Sequence, residues 1–196
     1  MKKRAVIVHC WDGTPEGAWY PWLKAELEAR GFEVAVPAMP ETETPKIGPW
    51  VGTLTTVVGQ PDEQTYLIGH SIGCQTVLRY LESLPPGQKV GGVVLVAGFF
   101  TLQGIDEEGE MIVRPWLETP IDTDTVRTHA DHIEAIFSDN DPWVPVANER
   151  LFVDRLGATT HMFHGRGHFS QTDDTTELPE ALEAVLHLVE RELARE

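Results

Sequence analysis

Short, mostly apolar runs recur along this chain: "RAVIVHC", "FEVAVP", "QTYLIG", "VGGVVLVAG", "HIEAIFS" and "TTHMFH". Segments of helical character lie between them. A continuous apolar run of this length is the signature of a strand buried on both faces. Strands alternating with helices predict an α/β fold, with a mostly parallel sheet of five or six strands and helices on both faces. No other pattern in the sequence limits the fold so tightly.

The helical segments carry their own punctuation. "PWLKAELEAR" has Pro21 suited to a first helical position, and Gly31 suited to ending the helix. "IGPWVGTLTTVV" reads as a helix against the low propensity of its β-branched residues. "IGCQTVLRYLESL" stops before Pro85 and Pro86, and "TDTVRTHA" and "NERLFVDRLG" are shorter helices. The terminal "LPEALEAVLHLVERELARE" places Leu182, Val185, Leu186, Val189 and Leu193 on one stripe. One stretch, from about Phe99 to Thr119, lacks regular signals and is rich in Gly and acids. A long loop of this kind is expected to be a lid or binding loop.

At 196 residues the chain is expected to form a single domain, 1–196, with no room for a separate cap domain. Its apolar runs are too short to span a bilayer. "MKKR" followed by "AVIV" is too short for a secretory leader, so a cytoplasmic location is expected. Two cysteines, Cys10 and Cys74, make no disulfide framework and read as ordinary buried thiols of a reducing compartment. A formal net charge of -16 argues against nucleic acid and anionic membrane surfaces as partners.

Chemistry concentrates in "LIGHSIGCQ", residues 67 to 75. Gly69 and Gly73 bracket Ser71 where a predicted strand passes into a predicted helix. Ligands collect outside the carboxyl ends of strands in such sheets. A serine on a sharp strand-to-helix turn projects its hydroxyl there, and the turn requires small neighbours at 69 and 73. The first N–H groups of the following helix, beginning with Ile72, then face whatever Ser71 attacks.

A serine nucleophile needs a base, and the base needs an orienting acid. Of eight histidines, His168 lies in the Gly-flanked "HGRGHFSQ" after the last strand, with His164 as its rival. "IFSDNDPWVP" offers Asp139 and Asp141, both equally suited to ordinary turn formation. The order Ser71, Asp141, His168 is that of an α/β-hydrolase triad. A metal reading competes, because His161, His164 and His168 run as H-x-x-H-x-x-x-H. A non-catalytic binding module that retains a hydrolase fold is the other alternative.

The stretches "AVIVHC", "WYPWLKAELEARGFEV", "PAMP", "IGHSIG", "VVLVAG", "RPW", "SDNDPWVP" and "GHF" together span nearly the whole chain. In them it resembles the small serine hydrolases related to retinoblastoma-binding protein 9, within the α/β-hydrolase superfamily. The resemblance implies a single-domain α/β-hydrolase fold that needs no cofactor and no metal. It implies Ser71 as nucleophile, Asp141 rather than Asp139 as acid, and His168 as base. The oxyanion donors fall on the backbone N–H groups of Trp11 and Ile72. Cys10 stands where hydrolases commonly place glycine after the first strand. The Leu-x-Cys-x-Glu sequence used for retinoblastoma-protein binding is absent, so that partner is not inherited. The expected substrate is a small carboxyl ester or amide. Phe99, Trp143 and Phe169, with Trp11, are expected to wall an apolar pocket, and Trp116 to close over it.

Overall fold

The computed structural model describes residues 2–193. Its elements are β1 (Arg4–Val8), α1 (Tyr20–Ala29), β2 (Glu33–Ala35), α2 (Ile47–Val58), β3 (Thr65–His70), α3 (Ile72–Glu82) and β4 (Gly92–Val96). They continue with α4 (Glu107–Glu118), α5 (Thr123–His129), β5 (Ile133–Ser138), α6 (Ala147–Leu156), β6 (Thr159–Phe163) and α7 (Pro179–Leu193). A single 3-10 turn, Gln171–Asp173, precedes α7. Leu193, the last member of the predicted α7 stripe, has its side chain outside the described residues. Among the described residues no helix is long and apolar enough to cross a membrane.

The six strands form one sheet in the order β2-β1-β3-β4-β5-β6, and every neighbouring pair is parallel. Successive residues of each central strand point to opposite faces, which explains why the strands read as unbroken apolar runs. Val6, Val8, Leu67, Val93, Leu95, Ala135 and Phe137 pack against α2, α3, α5 and α6. Ala5, Ile7, Tyr66, Ile68, Val94, Val96 and Ile136 pack against α1 and α7. Both faces are therefore covered, as the alternation required.

Strand order reverses between β1 and β3: the chain first steps outward to β2, then crosses back over β1. In an open α/β sheet, a crevice forms outside the carboxyl ends of the strands at such a switch. The loop from His9 follows β1 and the turn at Ser71 follows β3, so both open into it.

The stretch from Phe99 to Thr119 differs from expectation. Its second half is α4, not an irregular loop. Asp106 accepts a hydrogen bond from the Gly109 N–H at 2.8 Å and caps the helix. Glu107, Glu108 and Glu110 lie in the first turn, where the helix dipole favours acids. Pro115 lies inside the helix and removes one backbone donor without ending it. At the far end, buried Arg79 of α3 donates to the carbonyls of Trp116 and Thr119 at 2.9 and 2.7 Å. Capping at one end and a cationic anchor at the other outweigh the breakers Gly109 and Pro115.

Candidate active site

Ser71 sits at φ 56° and ψ −119°, a left-handed backbone that a non-glycine residue rarely adopts. Such strain costs roughly 1–3 kcal/mol and persists only where the surroundings impose it. Here they do. The Ser71 N–H donates to the Val96 carbonyl at 2.8 Å, which ties the turn to the end of β4. A Cβ on Gly69 would lie 2.7 Å from the Cys74 nitrogen, and one on Gly73 would lie 2.3 Å from the Val8 carbonyl oxygen. The two glycines are thus required by close approach of backbones, the collision expected from the motif.

His168 and Asp141 meet across two loops. His168 Nδ1–H donates to Asp141 Oδ2 at 2.7 Å, with both residues buried. The other carboxylate oxygen, Oδ1, accepts from the N–H groups of Trp143 and Val144 at 2.9 and 3.0 Å. The carboxylate is held on both oxygens, and the imidazole keeps Nε2 free of it. The loop that carries His168 is clamped as well. The His168 N–H donates to Asp173 Oδ2 at 3.0 Å, and the Gly167 N–H to Asn140 Oδ1 at 2.8 Å. Gly167 has no room for a side chain, since its Cβ would fall 2.1 Å from Asp173 Oδ1.

The rivals for these roles lie apart. Asp139 accepts from His164 Nδ1 and from the Gly165 N–H, forming an exposed pair at the surface. Those hydrogen bonds, the Gly165 N–H foremost, draw the Asp139 carboxyl below its ordinary value. The metal reading meets a similar obstacle. His161 pairs with buried Glu134 at 2.6 Å, His164 with Asp139, and His168 with Asp141. Three histidines on three carboxylates do not converge, and among the described residues no group of three or more such ligands could hold a metal ion.

Ser71 and His168 line one cavity of about 910 Å³, together with Trp11 and Ile72. Ser71 Oγ has no hydrogen-bond partner among the described residues. Ile72 opens α3, and the first N–H groups of a helix have no partner within it. The Trp11 N–H is set by its own peptide. The Cys10 carbonyl accepts from the Gly13 N–H at 3.1 Å and from His9 Nδ1–H at 2.8 Å. In a trans peptide the Trp11 N–H points the opposite way. His9 Nε2 accepts from the Met39 N–H at 3.1 Å, so this ring is neutral, and burial holds its pKa down. Cys10 is not among the residues with positive φ, so a side chain there meets no backbone penalty. Cys10 lines the cavity and its thiol is pushed up in pKa chiefly by burial, while Cys74 is fully buried beneath the turn and also pushed up by burial.

Phe99, Trp143 and Trp11 form part of the cavity wall, joined by Leu102, Ile105 and Ile112. The Trp143 ring stands edge-on to His168, centroids 4.9 Å apart. Phe169, expected in the wall, and Trp116, expected to close over it, are both elsewhere. Trp116 is buried on the far side of α4, donates from Nε1 to the Pro45 carbonyl at 3.0 Å and packs edge-on to Trp50. Phe169 adopts φ 56°, which turns its fully buried side chain into the core beside α1 and α7. Leu102, Ile105, Ile112 and Tyr20 also line the cavity, and no motif marked them.

The family model for serine hydrolases matches residues 5–187. YdeN of Bacillus subtilis (strain 168) is 31% identical over 183 residues, covering 91% of this chain and 92% of YdeN. Its crystal structure superposes with a TM-score of 0.88 at 28% identity, covering 96% of this chain and 99% of that one. The serine hydrolase RBBP9 of Rattus norvegicus is 30% identical over 158 residues, 79% of this chain and 80% of its own. Est1E from Butyrivibrio proteoclasticus shares the α/β-hydrolase fold with a TM-score of 0.72 at 16% identity, over 96% of this chain and 88% of that one.

Proposed function

The chain belongs to the serine hydrolase family, and from that premise we propose that it cleaves small carboxyl esters or amides through an acyl-enzyme on Ser71. Ser71 Oγ attacks the substrate carbonyl carbon while His168 Nε2 takes the hydroxyl proton. The Trp11 and Ile72 N–H groups receive the charge that develops on the carbonyl oxygen. As the tetrahedral intermediate collapses, His168 returns the proton to the departing alcohol or amine. Water then adds to the acyl-enzyme with His168 again as base, and the acid leaves as Ser71 regains its proton. Asp141 keeps the imidazole in the tautomer with Nδ1–H and stabilises its charged form.

The observation that carries this reading is the 2.7 Å bond from His168 Nδ1–H to Asp141, made by a histidine that shares a cavity with Ser71. Substrate size follows from the cover. Between β4 and β5 the cavity is roofed by α4 and its preceding loop, not by a separate domain. An apolar wall of Trp11, Phe99, Leu102, Ile105, Ile112 and Trp143 suits a short, uncharged acyl chain.

The test is hydrolysis of p-nitrophenyl esters together with labelling by a fluorophosphonate. The parent is expected to hydrolyse the esters and to take up the label at Ser71. Ser71→Ala is expected to lose labelling and to lower kcat by at least ~1000-fold, and His168→Ala to suppress both. Parent-level turnover by folded Ser71→Ala would overturn the reading.

A further inference from the structure

Beneath the cavity, three loops are joined by one line of buried hydrogen bonds. The Cys10 N–H donates to Tyr20 Oη at 3.1 Å, Tyr20 Oη meets His70 Nδ1 at 2.6 Å, and His70 Nε2 meets the His168 carbonyl at 2.8 Å. The protons on this line have one consistent arrangement. A backbone carbonyl only accepts, so His70 Nε2 carries a hydrogen. Burial, with the His168 ring next in effect, lowers the His70 pKa to about 3, so the ring is neutral and Nδ1 accepts. Tyr20 therefore donates its hydroxyl hydrogen to Nδ1 and receives the Cys10 N–H on its oxygen. Burial raises the Tyr20 pKa well above its ordinary value, so the phenol keeps that hydrogen.

The ends of the line are what give it meaning. Cys10 belongs to the loop after β1, which carries the Trp11 N–H. His70 is the residue before Ser71, and His168 closes the line through its own carbonyl. Tyr20 and His70 are 1% and 0% exposed, so no water substitutes for a missing partner without rearrangement. The Trp19 and Tyr20 rings pack tilted against the His70 ring, at centroid distances of 5.6 and 5.8 Å, and restrict its rotation. The Trp19 Nε1–H adds a second tie, to the Phe169 carbonyl at 3.0 Å, one residue past His168.

We propose that Tyr20 and His70 are positioning residues of the hydrolytic reaction: their relay holds the oxyanion loop and the base loop in register about the serine turn. The proposal rests on the roles given above to Ser71, His168 and Trp11. Neither side chain of the relay exchanges a proton with substrate. Their effect is on the geometry in which His168 Nε2 and the Trp11 N–H meet the reacting carbonyl, where displacements of an ångström cost up to ~100-fold in rate.

The experiment compares Tyr20→Phe, His70→Gln and His70→Leu with the parent on p-nitrophenyl butyrate, well below the Tm of each variant. Tyr20→Phe keeps the ring and deletes the link between two loops. It is expected to lower kcat roughly 10-fold with KM within roughly twofold. His70→Gln retains an amide N–H for the His168 carbonyl, so its kcat is expected several-fold above that of His70→Leu. Parent kcat in Tyr20→Phe would overturn the proposal. So would equal kcat in the two His70 variants, or losses no larger than the unfolded fraction measured by circular dichroism. Ser71→Ala, run alongside, separates the two levels: parent turnover there defeats the hydrolase reading itself, whereas an inactive Ser71→Ala beside a fully active Tyr20→Phe defeats the relay alone.

Discussion

Two aspartates stand two residues apart after β5, and their surroundings divide them. Asp141 is buried with both oxygens occupied, one by His168 and the other by two backbone N–H groups. Asp139 is half out in solvent beside His164, whose side chain is 91% exposed. Removing the charge at each site therefore has different consequences. Asp141→Asn offers an amide in place of an acceptor and favours the wrong imidazole tautomer, so kcat for ester hydrolysis is expected to fall by ~1000- to 10,000-fold. Asp139→Asn is expected to leave kcat within about threefold, because exposed pairs of this kind contribute little. Steady-state kinetics on the two purified variants distinguishes them. Spacing alone admitted both aspartates and resemblance chose Asp141; in three dimensions Asp141 meets His168 and Asp139 meets His164. Trp116 and Phe169 show the opposite case. Position after a strand places a residue near the sheet edge, but the rotation of α4 and the left-handed backbone at Phe169 decide which way each ring turns. Neither is written in local sequence. Tyr20 had no signal at all, because its partners lie 10 and 50 residues away.

Among the elements, the central strands were the most legible, since burial on both faces leaves mostly apolar runs rich in Val, Ile and Leu. α2 formed despite its β-branched residues, because Trp50, Leu54 and Val58 give it a buried face. α4 was not legible: Gly109 and Pro115 are breakers by propensity. What sustains it is a cap and a long-range anchor. Asp106→Ala is expected to remove about 1 kcal/mol of stability, while Asp106→Asn, which retains a capping oxygen, is expected to stay near the parent. Denaturant unfolding gives the magnitude, and faster hydrogen exchange in the first turn of α4 identifies the site of the loss. An unchanged midpoint in Asp106→Ala would show that the cap is dispensable and that Arg79 alone holds the helix.

On the scale of the whole molecule, charge and topology act on the same crevice. The chain carries a formal net charge of -16, and Asp12, Glu43, Asp106 and Glu108 border the cavity. Among the described residues that line it there is no lysine or arginine. An ester with a carboxylate on its acyl chain thus approaches a negative field, and a neutral ester of the same length does not. For the anionic ester, kcat/KM is expected to rise about threefold or more as salt shortens the Debye length from ~30 Å to a few ångströms. For the neutral ester it is expected to stay level. Parallel salt titrations with a hemisuccinate and a butyrate ester measure the difference.

The reversal of strand order between β1 and β3 seats the serine turn and the Trp11 loop on adjoining strands, while the roof comes from a single excursion between β4 and β5. On the proposed reading, much of the choice of reactant is consequently housed in an excursion separate from the serine turn. Exchanging that excursion for one of another length or shape would retune which molecules enter, and the anvil on which they are broken would stay where the sheet has set it.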